Sequence, residues 1–106
     1  MTLTYQASAL TLPEVQALRG PKVLQFGTDW CGHCQAAAPL ADVALAGLPP
    51  DARILVEDGP GRALGRAFRV KLWPTLVFLQ DGQEVARVVR PTDQALIDRA
   101  LDQLSL

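Results

Sequence analysis

The two cysteines of this 106-residue chain lie three positions apart, in the run Trp30-Cys31-Gly32-His33-Cys34. An apolar run of strand length, residues 22–26, comes before them, and a helical pattern rich in alanine and leucine follows. Both thiols therefore belong to a strand-to-helix junction. A disulfide between residues so close in sequence closes too small a loop to stabilise the fold much. We interpret the pair as a reversible dithiol, in which one thiolate attacks a disulfide and the second thiol resolves the product.

Length and composition indicate one domain that spans residues 1–106. Hydrophobic residues make up 49% of the chain and charged residues 20%, a mixture that can form a core without structural disulfides. The formal net charge is −1, so neither a nucleic acid nor a membrane surface is expected as a partner. Residues 1–9 have neither the basic nor the apolar segment of a secretion signal, so we expect a cytoplasmic protein in a reducing compartment.

Strand and helix patterns alternate along the chain. Strands are predicted over residues 3–6, 22–26, 53–57, 75–79 and 84–89, and helices over residues 11–19, 34–48, 62–68 and 92–104. Thr11 and Glu14 form a capping-box pattern at the start of the first helix, and Thr92 or Asp93 is the predicted cap of the last. This order predicts an α/β fold with a mixed central sheet and helices on both faces.

An ordered set of motifs resembles the thioredoxin family over residues 3–104. The matching features are Trp30-Cys31-Gly32-His33-Cys34 after a strand, Pro39 inside the next helix, Trp73-Pro74-Thr75 at the start of a strand, and the turn residues Asp81 and Gly82. The resemblance implies a thioredoxin fold, with a central mixed five-stranded sheet flanked by four helices. It also implies a kinked helix at Pro39, a cis peptide bond before Pro74, and thiol–disulfide oxidoreductase activity.

The resemblance assigns the chemistry to the two cysteines. Cys31 is expected at the N-terminus of the active-site helix as the exposed nucleophile, where backbone N–H groups and the helix dipole favour a thiolate. Cys34, one turn deeper, is expected to be the resolving thiol. Gly32 permits a tight turn and lets a substrate backbone approach. We expect no cofactor and no metal, because two thiols and His33 are too few for a zinc site within one chain, although a site that bridges two chains stays a minor alternative.

The candidates for substrate binding are Trp30, Trp73, Pro74 and Thr75. Trp30 is expected to be a partly exposed aromatic flank, with a purely packing role as the alternative. A cis Pro74 removes a backbone donor and presents the neighbouring backbone to an extended substrate, whereas a trans loop proline is the plain alternative. Trp73 is bulky for its position, and it either enlarges the apolar contact surface or restricts which peptides fit.

Two basic residues are candidates for tuning the site. His33 is the only histidine, and its Gly-His dipeptide resembles protein disulfide isomerase, whereas ordinary thioredoxins carry Gly-Pro. A partial positive charge on His33 would favour the thiolate and make the disulfide more oxidising, and a solvated loop histidine is the alternative. Arg90 aligns with a small residue of the family. It either stabilises the Cys31 thiolate, selects acidic substrates, or is a solvated strand end.

Two further departures from the family lie close to the motif. Gln25 stands where the family has a buried acid that accepts the proton of the buried thiol. A neutral amide cannot accept that proton, but it can orient a water or be satisfied by the backbone. Leu55 aligns with the lysine that accompanies the acid, which suggests that the pair is replaced as a unit. Gly27 replaces an aromatic residue, and Trp73 is the candidate to fill that space.

The leading hypothesis is an oxidoreductase that exchanges electrons with disulfides of other proteins. In a cytosol it would act as a monomeric reductase, with electrons from a flavin-dependent thioredoxin reductase or from glutathione. His33 leaves isomerase or oxidase activity open. The second class is a redox-regulated binding or sensor module, which would cycle once per signal instead of turning over. Nucleic-acid binding has no support, because the chain has no basic stripe with interleaved aromatic residues.

Overall fold

Strands and helices alternate in the computed structural model, which describes residues 4–106. The strands are β1 (Pro21–Gly27), β2 (Arg53–Glu57), β3 (Thr75–Gln80) and β4 (Gln83–Val89). The α-helices are α1 (Leu12–Gln16), α2 (Gly32–Ala44), α3 (Ala63–Ala67) and α4 (Gln94–Leu101), and a 3₁₀ turn, Pro50–Ala52, precedes β2. Each α-helix is shorter than its sequence pattern predicts. In this described part of the chain, no helix is long and apolar enough to cross a membrane.

The strands form one mixed sheet in the order β2-β1-β3-β4. β1 and β2 are parallel, and helix α2 lies in the long connection between them. β3 runs antiparallel to both of its neighbours, β1 and β4. The predicted mixed α/β arrangement is therefore confirmed, with β1 in the middle of the sheet and its carboxyl end at the cysteine motif.

The predicted strand over residues 3–6 is not a strand in the described part of the chain, so the sheet has four strands where five were expected. Gln6 makes one isolated parallel bridge to β2. Its N–H donates to the Leu55 carbonyl at 3.3 Å, and its carbonyl accepts from the Glu57 N–H at 2.8 Å. Leu3 lies outside the described residues. Because Gln6 is exposed, pairing at this sheet edge buries too little apolar surface to extend the ladder.

The core has two layers, one on each face of the sheet. Helices α2 and α4 cover one face, with core residues Val23, Ala41, Leu45, Leu76, Phe78, Ile97 and Ala100 among others. Helices α1 and α3 cover the other face, where Val15, Leu24, Phe26, Val56, Leu64, Val77 and Leu79 pack together. Strands β1 and β3 are thus buried on both sides, which explains why their sequences are nearly continuous apolar runs.

The helix caps hold the ends of the outer helices. The capping box of α1 is confirmed, since the Glu14 N–H donates to Thr11 Oγ1 at 3.3 Å and the Thr11 N–H donates to Glu14 Oε1 at 3.0 Å. Asp93 caps α4 instead of Thr92, and its Oδ1 accepts from the Ala95 N–H at 3.0 Å. Pro39 lies inside α2, as the sequence predicts.

Candidate active site

Both thiols lie at the junction between β1 and α2. Cys31 is the N-cap of α2, and its Sγ accepts a hydrogen bond from the Cys34 backbone N–H at 3.2 Å. Both cysteines are free thiols, with Cys31 8% exposed and Cys34 3% exposed. Cys31 is thus more buried than predicted, although it is the more accessible of the two. Its sulfur lies where the first backbone N–H groups of a helix and the helix dipole favour negative charge.

Cys34 faces the interior next to Cys31. Burial, followed by the hydrogen bond with Cys31, raises the pKa of the Cys34 thiol to about 12. Hydrogen bonds from the Thr28 backbone and from Tyr5 act in the opposite direction on this pKa. Cys34 therefore holds its proton at neutral pH. Any reaction in which its sulfur is a nucleophile first requires removal of that proton.

The peptide bond between Trp73 and Pro74 is cis, which confirms the prediction. Both Pro74 and Thr75 are buried, and Thr75 Oγ1 donates to the Leu72 carbonyl at 2.6 Å. Arg90 Nε donates to the Trp73 carbonyl at 2.8 Å, and the Arg90 backbone N–H donates to the Pro74 carbonyl at 2.9 Å. Arg90 is therefore not a solvated strand end, because its hydrogen bonds connect the loop around Pro74 to the end of β4.

Trp30 and Trp73 form an aromatic pair beside the motif. Their ring centroids lie 5.8 Å apart at an interplanar angle of 81°, an edge-to-face arrangement. Trp73 Nε1 donates to Asp58 Oδ2 at 2.8 Å, whereas Trp30 is 75% exposed. Asp58, which the sequence reasoning missed, thus holds the inner ring in place and leaves the outer ring open to a partner. No local pattern marks Asp58, since its contact lies 15 residues away along the chain.

Gln25 is buried in β1, 1% exposed, at the centre of a hydrogen-bond network. Its Oε1 accepts from Arg53 Nε at 3.2 Å and from Arg53 Nη2 at 3.0 Å, and its Nε2 donates to Tyr5 Oη at 2.9 Å. Arg53 Nη1 donates in turn to Asp42 Oδ1 at 2.8 Å. The amide is therefore satisfied by side chains, not by the backbone. Leu55 does not supply the cation that accompanies the acid in the family, but a guanidinium reaches in from two residues earlier on β2, so Gln25 and Arg53 stand where the family has its acid and lysine.

Tyr5, not Trp73, occupies the space beside Gly27. A Cβ built on Gly27 would lie 2.6 Å from Cys34 Sγ and 3.0 Å from Tyr5 Oη. The prediction that Trp73 fills this space was wrong, since the Trp73 ring packs against Trp30 instead. The Tyr5 N–H donates to Asp29 Oδ1 at 3.0 Å, which fixes the N-terminal segment against the site. The one hint in the sequence is that Tyr5 is the only tyrosine of the chain.

We predict that Gly27→Ala lowers the free energy of unfolding by about 1–3 kcal/mol, because the added methyl group overpacks against a sulfur and a phenol ring. Urea-induced unfolding of the reduced protein measures this loss. Gly47→Ala is the matched control, because a Cβ there meets nothing within 4 Å. We expect the control to change the free energy of unfolding by less than about 0.5 kcal/mol. Equal losses in the two variants would contradict this explanation of Gly27.

His33 and Arg90 line one groove on the other side of the motif. Its volume is about 450 Å³, and its remaining walls are Ala36, Leu40, Pro91 and Thr92. The structure therefore brings together the two basic residues that the sequence singled out separately. A groove with apolar walls and two basic side chains can accept an acidic or apolar side chain of a bound peptide.

Comparison with known proteins places this architecture in a family. The family model described as Thioredoxin matches residues 11–103. Thioredoxin from Mycobacterium bovis is 31% identical over an alignment of 94 residues that covers 86% of this chain and 79% of that protein. Protein disulfide-isomerase A2 from Pongo abelii is 36% identical over an alignment of 86 residues that covers 77% of this chain but only 16% of that longer protein.

The fold matches as well as the sequence. A solved structure of reduced thioredoxin 2 from Pseudomonas aeruginosa PAO1 superimposes with a TM-score of 0.83 at 52% identity, over 96% of this chain and 94% of that one. The Cys31–Cys34 pair lies at the start of α2, as the family motif requires. The family model, the relatives and the superposition together show that this chain belongs to the thioredoxin family of thiol–disulfide oxidoreductases.

Proposed function

We propose that this protein reduces disulfides in other proteins, with Cys31 as the nucleophile and Cys34 as the resolving thiol. The observation that supports this most directly is the Cys31 sulfur at the N-cap of α2, 3.2 Å from the Cys34 amide nitrogen. Two free thiols so close together can form an intramolecular disulfide after either one has reacted. Their difference in burial sets the order, because a bulky substrate reaches the more accessible sulfur first.

The reaction has two exchange steps. The Cys31 thiolate attacks one sulfur of the substrate disulfide, so that a mixed disulfide forms, the substrate S–S bond breaks, and the other substrate sulfur leaves and takes up a proton. Cys34 then loses its proton and attacks the Cys31 sulfur. The Cys31–Cys34 disulfide forms, the mixed disulfide breaks, and the second substrate sulfur leaves and is protonated. Two electrons have passed from the protein to the substrate.

The substrate segment lies along Trp30, Trp73 and the loop that carries Pro74. Exposure of the Trp30 ring supports its part as an apolar contact, and Asp58 holds Trp73 behind it. Thr75 acts indirectly, since its hydroxyl is bound to the loop and its side chain is buried. The groove of His33 and Arg90 favours substrates with an acidic residue beside the disulfide.

The net direction in a cytosol is reduction, with thioredoxin reductase or glutathione as the electron donor. Likeness to bacterial thioredoxins supports this direction. Isomerase or oxidase activity is the second candidate, supported by the Gly-His dipeptide and by the likeness to protein disulfide-isomerase A2. The two differ in the stability of the Cys31–Cys34 disulfide, which is lower in an isomerase or oxidase.

Insulin reduction under turnover conditions tests the proposed function. One arm uses NADPH with a bacterial thioredoxin reductase, a second uses glutathione with glutathione reductase, and a third uses dithiothreitol. Reduction of many disulfides per protein molecule in any arm supports an oxidoreductase. A single stoichiometric oxidation without turnover in all three arms would contradict it and would favour a redox-regulated sensor module.

His33→Pro is expected to lower the reduction potential of the pair by on the order of 30 mV, which corresponds to about 1.4 kcal/mol. The reason is that a residue able to carry a partial positive charge beside the Cys31 thiolate is removed, so the disulfide becomes relatively more stable. Position 33 is the second residue of α2, where proline is tolerated because no intrahelical N–H bond is lost. Equilibration in glutathione buffers measures the shift, and His33→Gln separates the loss of charge from the effect of proline. An unchanged reduction potential in both variants would show that His33 does not tune the Cys31–Cys34 pair.

A further inference from the structure

The phenol of Tyr5 lies against the buried thiol. A Cβ on Gly27 would touch both Cys34 Sγ and Tyr5 Oη, so the two groups share one small space. Both residues also line one cavity, and hydrogen bonding from the phenol lowers the pKa of Cys34, against the larger opposing effect of burial. Tyr5 is therefore a neutral side chain beside the sulfur that must be deprotonated in the second step.

The hydrogen bonds of Gln25 and Arg53 determine where the Tyr5 oxygen accepts a hydrogen bond and where its O–H can donate one. Gln25 Oε1 must face the Arg53 guanidinium, which has only donors, so Gln25 Nε2 must face Tyr5. The Tyr5 oxygen thus already accepts one hydrogen bond from an amide. Its own O–H is left free to turn toward the Cys34 sulfur. Asp42 holds Arg53 in this position through a charge-assisted hydrogen bond of 2.8 Å.

Tyr5 is a donor and not a base. Burial, the largest effect, raises the pKa of Tyr5 above its ordinary value, so the phenol keeps its proton over the working pH range. The charged or titratable groups around this site are Cys31, Asp29 and Asp42 together with the cation of Arg53. No carboxylate stands at position 25 to accept the Cys34 proton. Two hydrogen-bond donors, the Thr28 backbone and the Tyr5 phenol, lower the pKa of Cys34, and Tyr5 is the one that belongs to a side chain.

We propose that Tyr5 is a catalytic residue that donates a hydrogen bond to the Cys34 sulfur as this thiol loses its proton, with Gln25 and Arg53 as positioning residues. The proposal rests on the proposed role of Cys34 in resolution. The Cys34 S–H bond breaks and its proton passes to water. The thiolate accepts the Tyr5 O–H, attacks Cys31 Sγ, and displaces the substrate sulfur, which takes up a proton from water.

A small cavity beside Cys34 gives the proton a path to solvent. It has a volume of about 130 Å³ and extends from Cys34 to the exposed residues Asp29, Gln35 and Asp42. The Thr28 hydroxyl also borders it and has no hydrogen-bond partner among the described residues. A cavity of this size has room for several water molecules, and the polar groups on its border can bind them. The leaving proton can therefore reach solvent without passing through the Cys31 side of the site.

Tyr5→Phe separates the two exchange steps. The chromogenic disulfide dithiobis(nitrobenzoate) releases one thiolate when Cys31 attacks and a second when Cys34 resolves the adduct, and stopped-flow absorbance follows both. We expect the first release to be unchanged and the second to slow about threefold for each unit by which the Cys34 pKa rises. The thiolate becomes about tenfold rarer per unit, and a gain in nucleophilicity recovers roughly threefold of this.

Val15→Ala is the matched control for a loosened fold, because Val15 is fully buried in α1 on the opposite face of the sheet. It is expected to leave both releases unchanged. An unchanged second release in Tyr5→Phe, equal slowing of both releases, or equal slowing in Val15→Ala would overturn the proposal. Absence of the second release in the wild-type protein would instead overturn the resolving role of Cys34, so the two failures are distinguishable.

Gln25 has a separate readout, because Tyr5 is the only tyrosine. The NMR signal of an isotope-labelled tyrosine ring should shift when the dithiol is oxidised, since the partner of the phenol O–H is lost. Gln25→Leu is expected to reduce this redox-dependent shift and to slow the second release. A shift equal to that of the wild-type protein would remove Gln25 from the positioning role.

Discussion

Replacing Cys31 with serine is expected to lower insulin reduction to the rate of buffer without protein. A serine oxygen does not ionise in the working pH range and cannot form the mixed disulfide, so neither exchange step is possible. The fold should survive, because a serine Oγ at position 31 would accept the Cys34 N–H that Cys31 Sγ accepts at 3.2 Å. Serine is among the best N-cap residues, so we expect the free energy of unfolding to change by less than about 0.5 kcal/mol.

Urea unfolding of the Cys31→Ser variant is the control that makes its loss of activity interpretable. A folded variant without activity supports Cys31 as the nucleophile. A folded variant that keeps its activity, together with an inactive Cys34→Ser variant, would reverse the roles of the two cysteines. The low exposure of Cys34 makes that outcome contrary to the proposed mechanism.

Cys34→Ser is expected to stop the reaction after the first step. With dithiobis(nitrobenzoate) it should release one equivalent of thiolate where the wild-type protein releases two, and the adduct on Cys31 should persist. With a protein substrate the same variant should accumulate a covalent complex that disappears on addition of dithiothreitol. The reason is that no second thiol is available within bonding distance of the Cys31 sulfur.

Mass spectrometry and non-reducing electrophoresis measure the trapped species. The double variant with serine at both positions is the matched control and should form no adduct. Two released equivalents from Cys34→Ser, or a complex that also forms in the double variant, would remove Cys34 from the resolving role.

The local part of the site was predictable from the sequence. The sequence pattern predicts a helix over residues 34–48, and the family resemblance places Cys31 at its N-terminus. In the structure the helix begins at Gly32, which puts the first sulfur at its N-terminus and the second one turn deeper. The capping box at Thr11 was likewise indicated by adjacent residues, whereas the cis bond before Pro74 was expected from the resemblance to the thioredoxin family. Features of this kind depend on a few neighbouring positions, which is why the sequence pattern was sufficient.

The hydrogen-bond network of Tyr5, Gln25 and Arg53 beside Cys34 was not predictable in the same way. Tyr5 meets Gln25 across 20 positions of the chain, and Arg53 meets Gln25 across 28. The first contact depends on where a segment with a single β-bridge comes to lie, and no local pattern specifies that position. Without these contacts, Gly27 indicates an empty space but does not indicate which side chain fills it.

Arg90 shows a third kind of difference between the sequence-based prediction and the structure. The sequence marks it as an unusual residue for its position but leaves three roles open. Its backbone adopts φ of 49°, in the left-handed region, and its side chain and N–H both turn back to the proline loop. The role of such a residue depends on the backbone conformation at the end of the strand. The pattern of side chains along the sequence does not determine that conformation.

The central claim is that Cys31 and Cys34 form one reversible two-electron couple, and equilibration in glutathione redox buffers tests it most directly. Acid quenching, alkylation and mass spectrometry report each redox state across the series. We predict conversion of the free dithiol into a single intramolecular disulfide along a two-electron curve. Stable glutathione adducts on the separate cysteines, with no intramolecular disulfide at any buffer ratio, would contradict it.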